Sequence, residues 1–364
     1  MNKTMNKTLK KLIIAGALTL TATVSQACTG ISLTAKDGTV VPARTMEFGV
    51  DLASNIIFVP RHYAYVGETP TGAGMKWKTK YAYVGANAKG EPIIADGVNE
   101  KGLYSGIFYL PGDTEYQAVT AVNADKALAA HQLTAYLLGN FATVDEVKKA
   151  LPNIVVSKAK FKPLNMMLPL HVRVFDASGK GIVVEYIGGE LKVYDNWVGV
   201  LTNSPQYPWH VSNLGNYVNL MSTDVESIMI NGHKVEQTGE GSGMLGLPGD
   251  FTPPARFIRA VALSQSAYQG KDATETVIQA FHILNSFDIP IGAIRTEAYG
   301  KPYDDYTLWT TAVDTKNKKL YFHTHGNRSP KVVELAKFDF DSKNIVTIPM
   351  STPQVFEDVS ATRK

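Results

Sequence analysis

Cysteine is almost absent from this chain of 364 residues, and its one cysteine, Cys28, excludes three kinds of site. A single thiol cannot form an internal disulfide, a zinc site built from cysteines or an iron–sulfur cluster. Charge is also sparse, since Asp, Glu, Lys and Arg make up 19% of the residues whereas 45% are hydrophobic. This balance argues against a disordered chain and supplies enough apolar material for a large core.

The excess of positive charge is confined to residues 1–27. This segment carries four lysines and no acidic residue, so the net charge of +3 becomes −1 for the rest of the chain. Nucleic acids and anionic membranes bind stripes of basic residues, and the rest of the chain has no such excess. We therefore expect neither a nucleic-acid partner nor a basic membrane-binding face.

The same segment has the layout of a secretory signal peptide. Its lysines lie between positions 3 and 11, an apolar run covers 12–20, and Ser25 and Ala27 are small residues two apart. The run is too short to span a hydrocarbon core of ~30 Å, and no later segment approaches the ~20 apolar residues of a membrane helix. An uncleaved anchor is the less favoured alternative. We predict cleavage after Ala27 and export of a soluble mature protein, residues 28–364, to a bacterial periplasm.

Cleavage at that point would make Cys28 the amino terminus. Three interpretations are open for it: an incidental buried thiol, a lipid-anchored cysteine, or a nucleophile. Lipoprotein signals usually have Leu three residues before the cysteine, where this chain has Ser25. A nucleophile has clear chemistry, because a free α-amine with a pKa of about 7.7–8.0 can take the proton of an adjacent thiol whose pKa is about 8.5. The thiolate could then attack a carbonyl without a His or Asp from elsewhere in the chain.

Hydrophobic patterning predicts a layered α+β fold in one domain. Helical spacing or capping signals indicate helices over Ala124–Leu138, from Thr143 to Pro152, over Ala255–Ser264 and over Ala273–Ser286. The predicted strands are Thr29–Thr34, Thr39–Met46, Ile56–Val59, Tyr81–Val84, Leu103–Leu110, Val172–Phe175, Ile182–Ile187, Val198–Leu201, Leu308–Asp314 and Lys319–His323. Strands in runs with helices in pairs do not suit strict βαβ alternation.

Two apparent motifs do not support a cofactor or a metal. Residues 241–246 read G-S-G-M-L-G, but Pro248 follows at once and no helix begins at the last glycine, so a turn-rich loop is favoured over a dinucleotide site. His323 and His325 lie two apart without a third ligand nearby, which indicates histidines at a strand end. We predict no cofactor and no metal.

Several sequence blocks, taken together, resemble the choloylglycine hydrolase family, which contains bile salt hydrolases and penicillin V acylases. The blocks are Cys28-Thr29, Asp37-Gly38, 43–46 (ARTM), 96–103 (DGVNEKGL), 200–205 (VLTNSP), 246–250 (GLPGD) and 256–259 (RFIR). They follow the family's order and cover nearly the whole chain after residue 27. The resemblance implies the αββα four-layer sandwich of N-terminal nucleophile hydrolases, and cleavage of linear amides by acyl transfer to Cys28.

The resemblance also implies roles for four further residues. Arg44 returns across the hairpin turn to Cys28, where its charge would favour the thiolate. Asn203 resembles the oxyanion-hole asparagine, whose amide N–H meets the oxygen of the tetrahedral intermediate. Arg256 resembles the family's second active-site arginine. Glu47 stands where the family usually has Asp, and its carboxylate could hold the α-amine.

Asp51 is a weaker candidate for the carboxylate that the family places at position 47.

One residue bears on the substrate. Tyr109 stands six residues after Leu103, where penicillin V acylases tend to have Tyr and bile salt hydrolases Asn. Aromatic residues that could line an apolar acyl pocket, or equally belong to the core, are Phe48, Phe58, Tyr63, Phe108 and Tyr109.

We therefore predict a penicillin V acylase-like amide hydrolase acting on a small molecule, with N-acyl homoserine lactones as further candidates. A bile salt hydrolase or a lipid-anchored, non-catalytic binding protein is the alternative. The resemblance implies a homotetramer.

Overall fold

Residues 27–298 and 301–362 are described by the structure, a computed structural model. The strands in these ranges, β1 to β21, are Thr29–Thr34, Val40–Glu47, Asn55–Val59, Ala64–Thr69, Gly72–Lys78, Tyr83–Ala88, Glu91–Asn99, Tyr104–Tyr109, Ala127–Ala129, Val155–Ser157, Leu170–Phe175, Gly181–Ile187, Glu190–Asp195, Ile228–Ile230, His233–Val235, Ile294–Ala298, Lys301–Asp305, Thr307–Asp314, Lys319–Thr324, Asn327–Glu334 and Val346–Pro349. The α-helices, α1 to α5, are Leu133–Asn140, Val144–Ala150, Tyr207–Asn213, Pro253–Ser266 and Ala273–Leu284.

Two antiparallel sheets form the centre of the molecule. The smaller sheet has the strand order β1-β2-β18-β19-β20, and the larger has the order β13-β12-β11-β8-β7-β6-β3-β21. The sheets face each other, since β18 and β19 contact β7. Helices α4 and α5 cover the outside of the smaller sheet, and α1 packs on β7 and β8 of the larger one. This order of layers confirms the predicted αββα sandwich and the α+β class.

The β1–β2 hairpin positions the candidate nucleophile. Gly38 has φ of +83°, a conformation that favours glycine, and the carboxylate of Asp37 accepts the N–H of Thr39 at 2.9 Å. The register pairs Thr29 with Thr45, so Cys28, one residue before β1, lies opposite Met46. Predictions for both strands are correct to within one residue at each end.

Two buried arginines join the sheets. Arg173 of β11 donates to the carbonyls of Ile31 and Ala43 in the smaller sheet, each at 2.8 Å. In the opposite direction, Arg44 of β2 donates to the carbonyls of Ala95 and Ile107 in the larger sheet. Each guanidinium therefore satisfies carbonyls of the sheet that it faces, and the β1–β2 hairpin is fixed relative to the larger sheet.

One predicted helix is wrong over its first half. The pattern predicts a helix over Ala124–Leu138, but α1 begins only at Leu133, and Ala127–Ala129 pairs instead with β10. The carboxamide oxygen of Gln132 accepts the N–H of Ala129 at 3.0 Å and the N–H of Glu68 at 2.9 Å. The apolar spacing here reflects burial between neighbouring elements rather than helical periodicity.

A predicted strand over Val198–Leu201 is also wrong. Gly199 has φ of +76°, which interrupts an extended segment, and only Leu201 forms a bridge, with Gly30 of β1. That bridge places the residues after Leu201 beside Cys28.

Most of the buried apolar residues of the described chain form one contiguous cluster. Among the described residues, no helix has the length and apolar content to cross a membrane. The predicted signal peptide, apart from Ala27, lies outside the described residues. A single domain over 28–364 stays a prediction.

Candidate active site

Cys28 is buried, lines an apolar pocket and touches two groups of β2. Its thiol sulfur lies 3.8 Å from Met46 Sδ and 3.9 Å from the carbonyl oxygen of Glu47. In the described chain Ala27 precedes it, and Ala27 is itself only 3% exposed. Burial raises the pKa of the thiol above its ordinary value, while the charges of Arg44 and Arg256 act in the opposite direction.

The side chain of Met46 lies between the Arg44 guanidinium and the Cys28 sulfur. One terminal nitrogen of this guanidinium lies 3.6 Å from Met46 Sδ, on which the Cys28 sulfur also rests. The guanidinium stacks over the Phe108 ring at 4.1 Å and is fully buried. Its charge therefore reaches the sulfur through a low-dielectric interior, where Coulomb attraction is stronger than in water.

Glu47 is a buried carboxyl group held by two threonines. It accepts from the hydroxyl of Thr307 at 2.7 Å and from the hydroxyl of Thr45 at 3.1 Å. The Thr45 hydroxyl also accepts the backbone N–H of Thr29, so it links the carboxyl to the residue after Cys28. Burial raises the pKa of Glu47 to about 8, although the hydrogen bonds and both arginines lower it.

Asn203 and Arg256 form one hydrogen-bonded unit with Cys28. Asn203 donates from its amide to the carbonyl of Tyr109 at 2.8 Å and accepts from Arg256 at 2.8 Å through its amide oxygen. This leaves the second amide hydrogen of Asn203 for another acceptor. Arg256 also donates to the carbonyl of Cys28, and at 2.9 Å to the hydroxyl of Thr29. Burial lowers the pKa of Arg256 to about 10, so its guanidinium stays charged at neutral pH.

The pocket beside Cys28 is narrow and apolar. Tyr109 and Phe48 line it and meet edge to face, with ring centroids 6.4 Å apart. Further walls come from β7 and β8 and from a loop carrying Phe161, Leu164 and Leu168. The free volume inside is about 40 Å³. These walls suit an apolar acyl group whose carbonyl carbon lies at the Cys28 sulfur.

All five residues predicted to be catalytic, Cys28, Arg44, Glu47, Asn203 and Arg256, surround one point, and Tyr109 lines the adjoining pocket. Asp51, the weaker substitute, is exposed and its carboxylate caps the N–H of Ala53.

The predicted aromatic lining separates into two groups. Phe48, Phe108 and Tyr109 reach the pocket, whereas Phe58 stacks on Phe338 and Tyr63 lines a different cavity.

The two apparent motifs lie in different parts of the fold. Ser242–Met244 form a 3-10 turn inside the glycine-containing segment, and His323 is buried against Phe281. Within the described ranges no three His, Cys, Asp or Glu residues are grouped to hold a metal ion.

Residues 28–348 match the linear amide C–N hydrolases of the choloylglycine hydrolase family. The chain belongs to the choloylglycine hydrolase family. Members of this family are linear amide C–N hydrolases, and this chain is therefore such an enzyme. The roles of the individual site residues stay predictions.

Relatives of this chain include bile salt hydrolases and a penicillin V acylase. A bile salt hydrolase/transferase of Clostridium perfringens is 33% identical over 88% of this chain and 96% of its own. A penicillin V acylase of Pectobacterium atrosepticum is 28% identical over 92% of this chain and 89% of its own.

Solved structures of the family share the fold. The conjugated bile acid hydrolase of C. perfringens superposes with a TM-score of 0.81 at 31% identity, over 91% of this chain and 99% of its own. The penicillin V acylase of Agrobacterium tumefaciens gives a TM-score of 0.71 at 23% identity, over 88% and 91%.

Sequence reasoning missed several residues of this site. Met46 could have been found from the hairpin register, because it lies directly opposite Cys28. Thr307, which binds the Glu47 carboxyl, is 260 residues away along the chain and carried no local signal.

Proposed function

We propose that this enzyme is an exported, penicillin V acylase-like hydrolase that cleaves amides of aryl or fatty acyl groups. The observation that carries the proposal is the narrow apolar pocket that joins Cys28 to Tyr109. Its free volume of about 40 Å³ is small beside the ~300–1,000 Å³ of typical small-molecule sites. A flat ring or an alkyl chain can enter after small shifts of its walls, whereas a four-ring steroid needs a much larger displacement.

The proposed reaction has two steps. In the mature protein the free α-amine of Cys28 takes the thiol proton, and the sulfur attacks the amide carbonyl. The C–N bond breaks, the amine leaves with a proton, and the acyl group remains as a thioester on Cys28. Water then attacks the thioester, which releases the carboxylic acid and restores the thiol. In both steps Asn203 donates its second amide hydrogen to the oxyanion.

Turnover of three amides on one preparation tests the substrate class. Penicillin V, a long-chain N-acyl homoserine lactone and glycocholate should be compared by kcat/KM. We expect penicillin V or the lactone to exceed glycocholate, and Cys28→Ser to hydrolyse none at a comparable rate. Glycocholate as the best substrate would overturn the proposed preference without affecting the cysteine mechanism.

Hydrolysis of conjugated bile acids is the second candidate function. The favouring observation is that relatives covering nearly the whole chain, such as the C. perfringens enzyme, are bile salt hydrolases by name. Tyr109→Asn distinguishes the two candidates. An added or lost contact in an apolar pocket changes discrimination by about 10- to 200-fold. If Tyr109 selects against the steroid, this variant gains activity on glycocholate relative to penicillin V.

Export and processing rest on the amino-terminal pattern described above. The family match begins at Cys28, which supports a mature chain starting there. The mass of the mature amino terminus tests this directly. A free cysteine supports the nucleophile, a diacylglyceryl cysteine supports the lipid-anchored alternative, and an intact residue 1 contradicts cleavage.

A homotetramer remains part of the proposal. Its support is a two-stranded hairpin, β14–β15, whose residues are all exposed in the isolated chain.

A further inference from the structure

The segment that carries Asn203 is held by two buried histidines outside the predicted catalytic set. Nε2 of His171 lies 3.1 Å from the carbonyl oxygen of Thr202. Nε2 of His210 lies 2.9 Å from the carbonyl oxygen of Asn203 itself. Both side chains are fully buried, His171 on β11 and His210 on α3. Two successive carbonyls are thus fixed from two different elements.

His171 is anchored on its far side by Glu185 of β12. Nδ1 of His171 lies 3.0 Å from the carboxylate, and the same carboxylate oxygen accepts the backbone N–H of Tyr207 at 3.0 Å. Both ring nitrogens of His171 therefore lie within hydrogen-bond distance of an oxygen, which fixes the orientation of the ring between β12 and Thr202. Glu185 therefore ties together both ends of the segment 202–207.

His210 is anchored differently, by stacking. Its ring lies parallel to Phe257, with centroids 4.7 Å apart and planes 15° from each other. Phe257 follows Arg256 in α4, and Arg256 holds the amide oxygen of Asn203. Burial lowers the pKa of His210 to about 4, which keeps the ring neutral with one N–H, and Nε2 is the nitrogen that faces a carbonyl.

We propose that His171 and His210 are positioning residues of the oxyanion hole, which hold the backbone at 202–203 so that the Asn203 amide points at the reacting carbonyl. The proposal rests on the role proposed above for Asn203. A catalytic donor misplaced by about 1 Å can cost about 100-fold in rate. Neither histidine lines the pocket, although the His171 ring meets the pocket residue Phe108 edge to face, with centroids 6.2 Å apart. His210 has no such contact, so its replacement should lower turnover without changing substrate affinity.

Variants of His210 separate donation from packing. His210→Phe keeps a ring that can stack on Phe257 but removes the N–H, and His210→Gln keeps an N–H donor without the ring. We expect kcat on penicillin V to fall about 10- to 100-fold in His210→Phe with KM within about twofold of wild type, and partial recovery in His210→Gln. His323→Phe is the matched control, because His323 is also buried against a phenylalanine but lies in β19, outside the predicted catalytic set.

Alkylation of Cys28 by iodoacetamide distinguishes positioning from damage to the whole site. The sulfur displaces iodide from a saturated carbon, so an S–C bond forms and no oxyanion arises. We expect the alkylation rate of His210→Phe and His171→Leu to match wild type while hydrolysis falls. A parallel loss of both rates, an unchanged kcat, or an effect on KM alone would overturn the proposal. If Asn203→Ala itself leaves kcat unchanged, the role of Asn203 fails first, which separates the two hypotheses.

Discussion

At the residue scale, the charges around the Cys28 sulfur decide how easily this thiol could serve as the proposed nucleophile. Cys28 is buried, which opposes ionisation, and two guanidinium groups with no direct contact to the sulfur oppose that effect. Met46 fills the space between the sulfur and Arg44. An α-amine at residue 28 would therefore have to supply the final step of deprotonation. This explains why a lone cysteine could serve without a catalytic histidine.

Asn203→Ala should lower kcat on penicillin V more than it raises KM. Removal of one oxyanion-hole donor costs on the order of 10²–10³ in turnover, because the interaction is made only with the tetrahedral intermediate. Steady-state kinetics over a full range of substrate concentration measures both constants. Asn216→Ala, on the exposed surface beyond α3, is the control. An increase in KM with unchanged kcat would mean ground-state binding instead.

Glu47→Gln should change how stability depends on pH. The pKa of Glu47 is raised from 4.5 to about 8, so between these values the folded chain holds a proton that the unfolded chain has lost. The contribution of this group to the free energy of unfolding is therefore complete below about pH 4.5 and is lost as pH rises through about 8.

Urea unfolding of wild type and Glu47→Gln at pH 5, 6, 7 and 8, on protein that retains Ala27, tests this prediction. We expect the free energy of unfolding of wild type minus that of the variant to decrease steadily from pH 5 to pH 8. A difference that does not vary with pH would contradict the raised pKa.

At the scale of elements, Arg44 and Arg173 explain how a two-stranded hairpin can hold the proposed nucleophile in a fixed position. Arg173 donates to one carbonyl from each strand of the β1–β2 hairpin. Arg44, which belongs to the same hairpin, donates to the carbonyl of Ile107 in the larger sheet. The Phe108 ring lies between the two guanidinium groups, at 4.1 Å from Arg44 and 5.2 Å from Arg173. The layer between the sheets is therefore partly polar, and its hydrogen bonds set the distance and register of the sheets.

Arg173→Leu should lower the free energy of unfolding by about 2–6 kcal/mol. It leaves two buried carbonyls without their donor, and each unsatisfied buried group costs about 1–3 kcal/mol. Urea denaturation at pH 7 measures the loss. Lys148→Ala removes only the exposed ion pair with Asp195 and should cost about 1 kcal/mol or less. If Arg173→Leu also costs only about 1 kcal/mol, the hydrogen bonds of Arg173 between the two sheets contribute little to stability.

What the sequence could predict depends on whether the signal was local. The hairpin around Gly38 and the capped helix after Thr143 follow from turn and cap chemistry, and both are correct; the Thr143 hydroxyl accepts the N–H of Glu146. The segment at Ala127–Ala129 was mistaken for a helix because its burial comes from distant strands.

The candidate site divides in the same way. Cys28 and Arg44 are joined by one turn and could be paired from spacing. The side chains that hold the segment of Asn203, His171, Glu185 and His210, come from β11, β12 and α3. No short sequence pattern connects these three elements.

At the scale of the whole molecule, the β14–β15 hairpin points to self-association. Its strands pair only with each other among the described strands, and a lone two-stranded sheet is marginally stable in water. Ile228, Met229 and Ile230 are 58%, 64% and 51% exposed. Apolar side chains on both faces of an isolated hairpin are typical of a surface that another chain covers. A second copy of this chain is the occupant that we propose.

Replacement of Ile228, Met229 and Ile230 by Ser should dissociate the proposed tetramer. The change removes the apolar surface that would be buried between copies and leaves the core of each copy intact. Light scattering after size-exclusion chromatography gives the mass, and Lys234→Ser on the same hairpin is the control. A wild-type monomer, or a triple variant that stays tetrameric, would contradict this role of the hairpin.

The burial of Ala27 and Cys28 has a consequence for the order of events in the life of the chain. Ala27 is 3% exposed and Cys28 is 2% exposed, so the bond between them is out of reach of a peptidase once the sheets have closed. A peptidase requires an accessible, extended backbone. The cleavage proposed after Ala27 would therefore have to take place while the chain is still unfolded, during or directly after the proposed translocation. A precursor that folded first would bury the proposed cleavage site and, with an amide in place of the free α-amine, would stay inactive.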